Sequence, residues 1–226
     1  MADSTNAGSD TEAVVRFARR VSHDINNFST VVRTYSELLL SDVDSSDPMH
    51  ADIEEIHRAA DATVVYLQRV TLFSRAENMR RAVTSADNGL ADAVAELATE
   101  HGARPVELSL GGGHIFAEAG WWRDTVLELL RNAHEAAPAG HAIVVRSRVQ
   151  DNTLIVDVED DGPGIPANLL DTVTQPFVTG KHGVRGAGIG LAIVSAVVRV
   201  LTGQLLFERE AGRTRVRLVL PTVSAA

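Results

Sequence analysis

Apolar residues recur at steps of three or four through Val14, Phe17, Val21, Ile25, Phe28, Val32, Tyr35 and Leu39. That period lays one apolar stripe along a helix. The Ser- and Asp-rich stretch from Asp42 to Asp47 breaks it, and Asp47-Pro48 starts another helix. Asp is a good N-cap, and Pro at the first helical position gives up an N–H that has no intrahelical acceptor. The second stripe is Ile53, Ile56, Ala60, Val64, Leu67 and Val70. Two helices of about 30 residues, roughly 45 Å each, joined by a short turn make an antiparallel hairpin. Leu38, Leu40, Val65 and Leu72 widen the stripes beyond what one hairpin covers. Pairing two hairpins into a four-helix bundle is the natural solution, which predicts a homodimer.

The punctuation then changes. Residues 11–79 hold one Pro and no Gly, while residues 85–221 hold most of the Gly and the other six Pro. This predicts a helical module followed by a mixed one. In the second, helices are expected around Leu90–Thr99, Ala119–Ala137 and Ile189–Leu201. Strands are expected at Pro105–Leu110, Ile115–Ala117, Ala142–Val149, Leu154–Glu159, Leu205–Glu208 and Thr214–Leu220, with hairpin turns at Gln150-Asp151-Asn152 and Ala211-Gly212. The class is α+β. The expected division is a disordered tail at 1–10, the hairpin at 11–79, a linker at 80–84 and the second domain at 85–226.

Charge and composition narrow the chemistry. Lys plus Arg number 21 and Asp plus Glu 30, a net charge of −9 across 226 residues, which argues against nucleic acid as a partner. Acidity on average does not exclude a nucleotide, because backbone N–H groups and a few local cations hold phosphate. The absence of Cys removes disulfides, thiolate zinc sites and cysteine nucleophiles. The longest weakly polar run, Gly186–Val198, is short of the roughly 18 residues a membrane helix needs, so no membrane insertion is expected. The N-terminus lacks a basic stretch followed by an apolar one, so a cytoplasmic protein is expected.

Three segments carry candidate chemistry. Asp160-Asp161-Gly162-Pro163-Gly164 leaves a strand; its glycines let the backbone turn close to a ligand, and a carboxylate there can accept a hydrogen bond from an exocyclic amine. Gly186-Ala187-Gly188-Ile189-Gly190 opens a helix, where N–H groups and the dipole favour phosphate. Glu128 and Asn132 stand one turn apart on one helical face, and an amide oxygen is a suitable Mg²⁺ ligand beside triphosphate. Taken singly, these segments read better as two ordinary turns and the polar face of an amphipathic helix.

Their order is more specific. Asn132, then Asp160-x-Gly162-x-Gly164, Pro176-Phe177 and Gly186-x-Gly188-x-Gly190 resembles the Bergerat ATP-binding fold, an α/β sandwich shared by histidine kinases and gyrase-type, chaperone and mismatch-repair ATPases. Ser22-His23-Asp24-Ile25-Asn26-Asn27, in the first helix and with His23 off the apolar stripe, resembles the dimerisation and phosphoacceptor hairpin of two-component sensor histidine kinases. The match is to the subgroup with His-Asp-Phe-Asn-Asn, with Ile25 in place of Phe. That subgroup ends its second helix with Leu-x-x-Phe-Ser-Arg, here Val70 to Arg75, and has a short lid, here Pro176 to Leu191. Resemblance covers nearly the whole chain.

The resemblance implies that His23 is phosphorylated from ATP, that Asp24 fixes its tautomer and takes its proton, and that Asn132 holds Mg²⁺. It places Asp160 on the adenine amine, Gly162 and Gly164 in the turn beside it, and Gly186, Gly188, Gly190 and Leu191 at the phosphates. Lys181 and Arg185 fall in the lid, as phosphate partners or mere surface, and Phe177 either anchors the lid or packs in the core. The phosphoryl group would pass to an Asp of a response-regulator receiver domain, and Asn27 sits where the family orients water to dephosphorylate that partner. Glu128 departs from the Asn of many histidine kinases and matches the general base of gyrase-type ATPases, leaving its role open between polarising His23 and activating water. With no recognisable sensor domain, input is expected from an upstream partner protein, a surface of the bundle or a region outside this sequence. The alternative is a phosphotransfer or phosphatase protein with a vestigial ATP module; a non-catalytic interaction protein is a third reading.

Overall fold

A computed structural model describes residues 4–75, 80–102, 104–180 and 188–224. Side chains of the first helix are described at Arg20 and from Asp24 onward, and those of the second up to Leu67, Val65 excepted. The chain divides into two compact units.

The first unit is a helical hairpin. Helix α1 runs Ser4–Asp42 and helix α2 Pro48–Arg75. The Asp47 carboxylate accepts the Met49 N–H at 2.8 Å, the N-cap that the Asp-Pro pair implies. Helix α1 already includes residues 4–10, where the sequence reading expects a disordered tail; no proline stops the helix there. The packing of the hairpin also differs from the simplest reading of the stripe. Among the described residues the buried side chains of α1 are Ser29 and Ser36, seven residues apart, while Ile53, Ala60 and Leu67 repeat at the same interval on α2. Ser36 Oγ lies 2.9 Å from His57 Nδ1 across the seam. Phe28, Val32, Tyr35, Leu38 and Leu39 are exposed. Small residues of α1 meet α2, and the described part of the first apolar stripe, Ile25 to Leu39, faces outward.

The second unit is built on a five-stranded sheet. Strands β1 (Ala82–Ser85) and β3 (His114–Ala117) pair antiparallel as a separate ribbon. The main sheet has the order β2-β4-β5-β7-β6, from β2 (Val106–Ser109), β4 (Ile143–Gln150), β5 (Thr153–Asp160), β6 (Gln204–Glu210) and β7 (Arg213–Pro221). Its pairs are antiparallel except β2 with β4. Residues 82–84, most of the expected linker, are thus strand β1, because their backbone finds a partner in His114–Ala117. Both predicted hairpins turn on two residues at positive φ, Asp151 and Asn152 (49° and 59°) and Ala211 and Gly212 (49° and 84°), the conformation a two-residue turn needs between twisted strands.

Helices α3 (Ala86–His101), α4 (Ala119–Ala136) and α5 (Gly190–Val200) complete the unit. The core lies between them and one sheet face, and includes Leu90, Leu97, Trp122, Leu130, Val145, Val156, Ile193 and Leu218. Trp122 Nε1 donates to the Ala86 carbonyl at 2.9 Å. A Cβ on Gly89 would lie 2.2 Å from the indole ring, so this position has room only for glycine.

The opposite sheet face is a grid of ion pairs. Asp157 of β5 accepts from Arg217 at 2.6 Å and from Arg148 at 2.8 Å. Glu159 accepts from Arg215 at 2.8 Å and Arg146 at 3.1 Å. Burial opposes the charge on both carboxylates, but the arginines outweigh it and hold both below the usual carboxylate range.

Candidate functional site

The two glycine-rich segments meet helix α4 on successive turns. Gly190, the first residue of α5, packs so closely that a Cβ there would lie 2.9 Å from Glu128 Oε2 and 3.2 Å from Asn132 Nδ2. One turn further along, Gly162 packs on Ala136, whose Cβ and carbonyl oxygen would each be 2.8 Å from an added Cβ. Helix α4 therefore joins the strand-end turn at Asp160 to the N-terminus of α5. Gly162 is required by space, since backbone meets it, whereas at Gly190 a Cβ would push on two side-chain ends.

Asp160 ends β5 and is buried; its Oδ1 accepts the Gly162 N–H at 2.8 Å. Gly164 follows at φ +83°, a backbone that favours glycine. The polar face of α4 is enclosed rather than solvated. Glu128 is 2 % exposed, and its Oε1 accepts from Arg131 Nη1 at 2.7 Å. Arg131 in turn forks onto Glu100 of α3, with Nε donating to Oε2 at 2.9 Å. Burial works against the Arg131 charge, and Glu100 and Glu128 more than compensate, raising its pKa above the ordinary guanidinium value. Asn132 Nδ2 is buried with no hydrogen-bond partner among the described residues, a costly state for an amide. The orphaned atom is a donor, which suits a phosphate oxygen; a Mg²⁺ ion would take the amide oxygen instead.

The stem of the expected lid is closed. Phe177 has φ +69° and is exposed, not packed in the core, and its N–H donates to the Gly188 carbonyl at 2.9 Å. A Cβ on Gly188, itself at φ +67°, would lie 2.6 Å from the Val178 carbonyl oxygen. Lys181, Arg185 and Gly186 lie outside the described residues. Leu191 is half-buried on α5.

In the hairpin, His23 lies within α1, and the expectation that its side chain faces solvent falls outside the described residues. Asp24 and Asn27 are exposed, and Asn27 is one turn from His23. The sequence reading missed Arg131. Its spacing of three from Glu128 is visible, but the Glu100 that anchors it comes from another helix.

Residues 118–224 match the family described as histidine kinase-, DNA gyrase B-, and HSP90-like ATPase. The sensor kinase CckA of Brucella abortus is 30 % identical over 230 residues, covering 93 % of this chain and 24 % of that protein. Over nearly its whole length the chain is similar to a sensor histidine kinase. The sensory histidine kinase/phosphatase NtrB of Rhodobacter capsulatus is 39 % identical over 108 residues, 42 % of this chain and 30 % of NtrB. The matched regions cover only 24 % and 30 % of the length of these relatives. In fold the chain is similar to full-length ShkA, crystallised in complex with AMPPNP, at a TM-score of 0.73 and 19 % identity over 93 % of this chain and 46 % of that one. A histidine kinase from Acinetobacter baumannii, AdeS, gives a TM-score of 0.60 at 18 % identity over 86 % of this chain and 95 % of that one. No described helix of this chain is long and apolar enough to cross a membrane.

Proposed function

We propose that this chain phosphorylates His23 from Mg·ATP and passes the phosphoryl group to an Asp of a response-regulator receiver domain. Residues 11–79 serve as the dimerisation and phosphoacceptor hairpin, and the unit that follows binds the nucleotide. The observation that carries the reading is the seating of Gly162 and Gly190 on successive turns of α4. It puts the Asp160 turn and the Asn132 amide along one edge of α4, as a nucleotide's base and phosphates require. The exposed stripe Phe28, Val32, Tyr35 and Leu39 supports a homodimer, because a second hairpin would cover it.

Each residue then has a task. Asp160 accepts a hydrogen bond from the adenine amine, and the N–H groups opening α5 receive phosphate oxygens. Asn132 would hold Mg²⁺, which when bound neutralises charge on the triphosphate. Asp24 holds one ring nitrogen of His23, and the lone pair of the other attacks the γ-phosphorus. The P–N bond forms as the bond from the γ-phosphorus to the bridging oxygen breaks. ADP leaves, and the ring N–H proton passes to Asp24. Asn27 orients water for dephosphorylation of the receiver partner. Glu128, already paired with Arg131, supports the nucleotide side of the site. Signal input from an upstream protein completes the scheme.

Incubating the chain with γ-labelled ATP and Mg²⁺ tests this. Acid-labile label should appear on the wild type and be absent from His23→Ala. Undiminished acid-labile label in that variant overturns the assignment.

A further inference from the structure

The strand register places Asp160, Thr214 and Arg209 in one row across three strands. Asp160 of β5 is opposite Thr214 of β7, and Thr214 is opposite Arg209 of β6. Side chains in such a row share a face, here the face that also carries Leu154, Val156 and Leu218 into the core. Asp160 and Arg209 are the charged residues on that face of the five strands. The neighbouring arginines 213, 215 and 217 point to the other face, and each is paired with a carboxylate there.

Arg209 forms no ion pair among the described residues. Its Nη1 donates to the Gly162 carbonyl at 3.1 Å and to Thr214 Oγ1 at 3.3 Å. It also fills the space beside Gly164, where a Cβ would lie 2.4 Å from Nη1. Gly162 is thereby held at both ends: its carbonyl by Arg209, and its N–H by Asp160 Oδ1 at 2.8 Å. A continuous chain of hydrogen bonds runs from the guanidinium through one residue to the buried carboxylate.

We propose that Arg209 is a positioning residue that sets base selectivity in the nucleotide site, by fixing the Gly162 turn and through it the orientation of the Asp160 carboxylate. The inference rests on the nucleotide-binding reading above and adds a residue remote in sequence from its motifs. A carboxylate reads an exocyclic amine only while its acceptor direction is held; a turn free to shift loses that discrimination first. Arg209 acts through Asp160 and touches no reacting atom.

Titration calorimetry of the whole chain with Mg·ATP and Mg·ITP tests the proposal, since inosine lacks the exocyclic amine. Arg209→Ala should weaken ATP about three- to tenfold, the range expected for one hydrogen bond, and leave ITP nearly unchanged, so the ATP-to-ITP ratio falls. Arg209→Lys, which retains a donor and a charge, should recover part of the ratio. Circular dichroism melts of both variants establish that they fold. Equal weakening of ATP and ITP, or no change in either, overturns the proposal. If the wild type binds no ATP, the nucleotide-binding reading itself fails; if it binds ATP and Arg209→Ala keeps the wild-type ratio, only the role of Arg209 fails.

Discussion

Replacing Arg131 by Met takes away the cation between Glu128 and Glu100 while keeping an unbranched apolar stem. The two carboxylates are affected unequally. The Glu100 side chain is 29 % exposed, so water replaces its partner at little cost. The Glu128 side chain is 3 % exposed and loses its 2.7 Å ion pair where water does not reach. Removing one partner from a buried pair costs about 3 kcal/mol or more. In a chain of this size that lowers the melting temperature by roughly 6–12 °C. The chain's two tryptophans, Trp121 and Trp122, are both on α4, so intrinsic fluorescence follows unfolding where the substitution acts. Adding Glu128→Leu to Arg131→Met removes the stranded charge and should restore most of the lost stability, because an apolar pair can replace a buried ionic one at little net cost. If the single variant melts within about 2 °C of wild type, or the double variant melts no higher than the single, the burial argument is wrong.

Two further outcomes follow from the second unit. Gly89→Ala should destabilise it by about 1–3 kcal/mol, read by the same tryptophan signal, because the new methyl group collides with the Trp122 ring. Acid should weaken the ion-pair grid: the folded pKa values of Asp157 and Glu159 are depressed from 3.8 and 4.5. Their contribution is therefore full above those unfolded values and is lost as pH falls below them through the folded values. The stability gap between wild type and Asp157→Asn, followed by urea unfolding, should be constant from neutral pH to about pH 5 and close below it; a gap that widens on acidification refutes the assignment.

What the sequence makes legible is local. Periodicity places α1 and α2, Asp47-Pro48 marks the restart, and the turn residues at 151–152 and 211–212 mark both hairpins of the main sheet. The partners of buried charges are not local. Asp157 and Glu159 alternate with Val156 and Val158 along β5, which marks a polar face, but only the register brings Arg148, Arg146, Arg217 and Arg215 alongside them. Glu128 reads as the polar face of a helix because α3, which covers Arg131, lies far away in the chain. In the hairpin, a periodic stripe identifies an apolar face without saying what it meets. Ser29 and Ser36 take the inner seam, and the larger residues stay outside. The glycine motifs are legible as turns; the collisions that a Cβ on Gly162 or Gly190 would cause depend on where α4 passes.

The two dissimilar faces of the main sheet also guard against misassembly. A one-residue slip of β5 against β7 would turn Asp157 and Glu159 toward the helices and carry Val156 and Val158 onto the arginine side. Such a mispaired intermediate strands charges on both strands at once, so the correct alignment is selected early by what its nearest rivals would have to enclose.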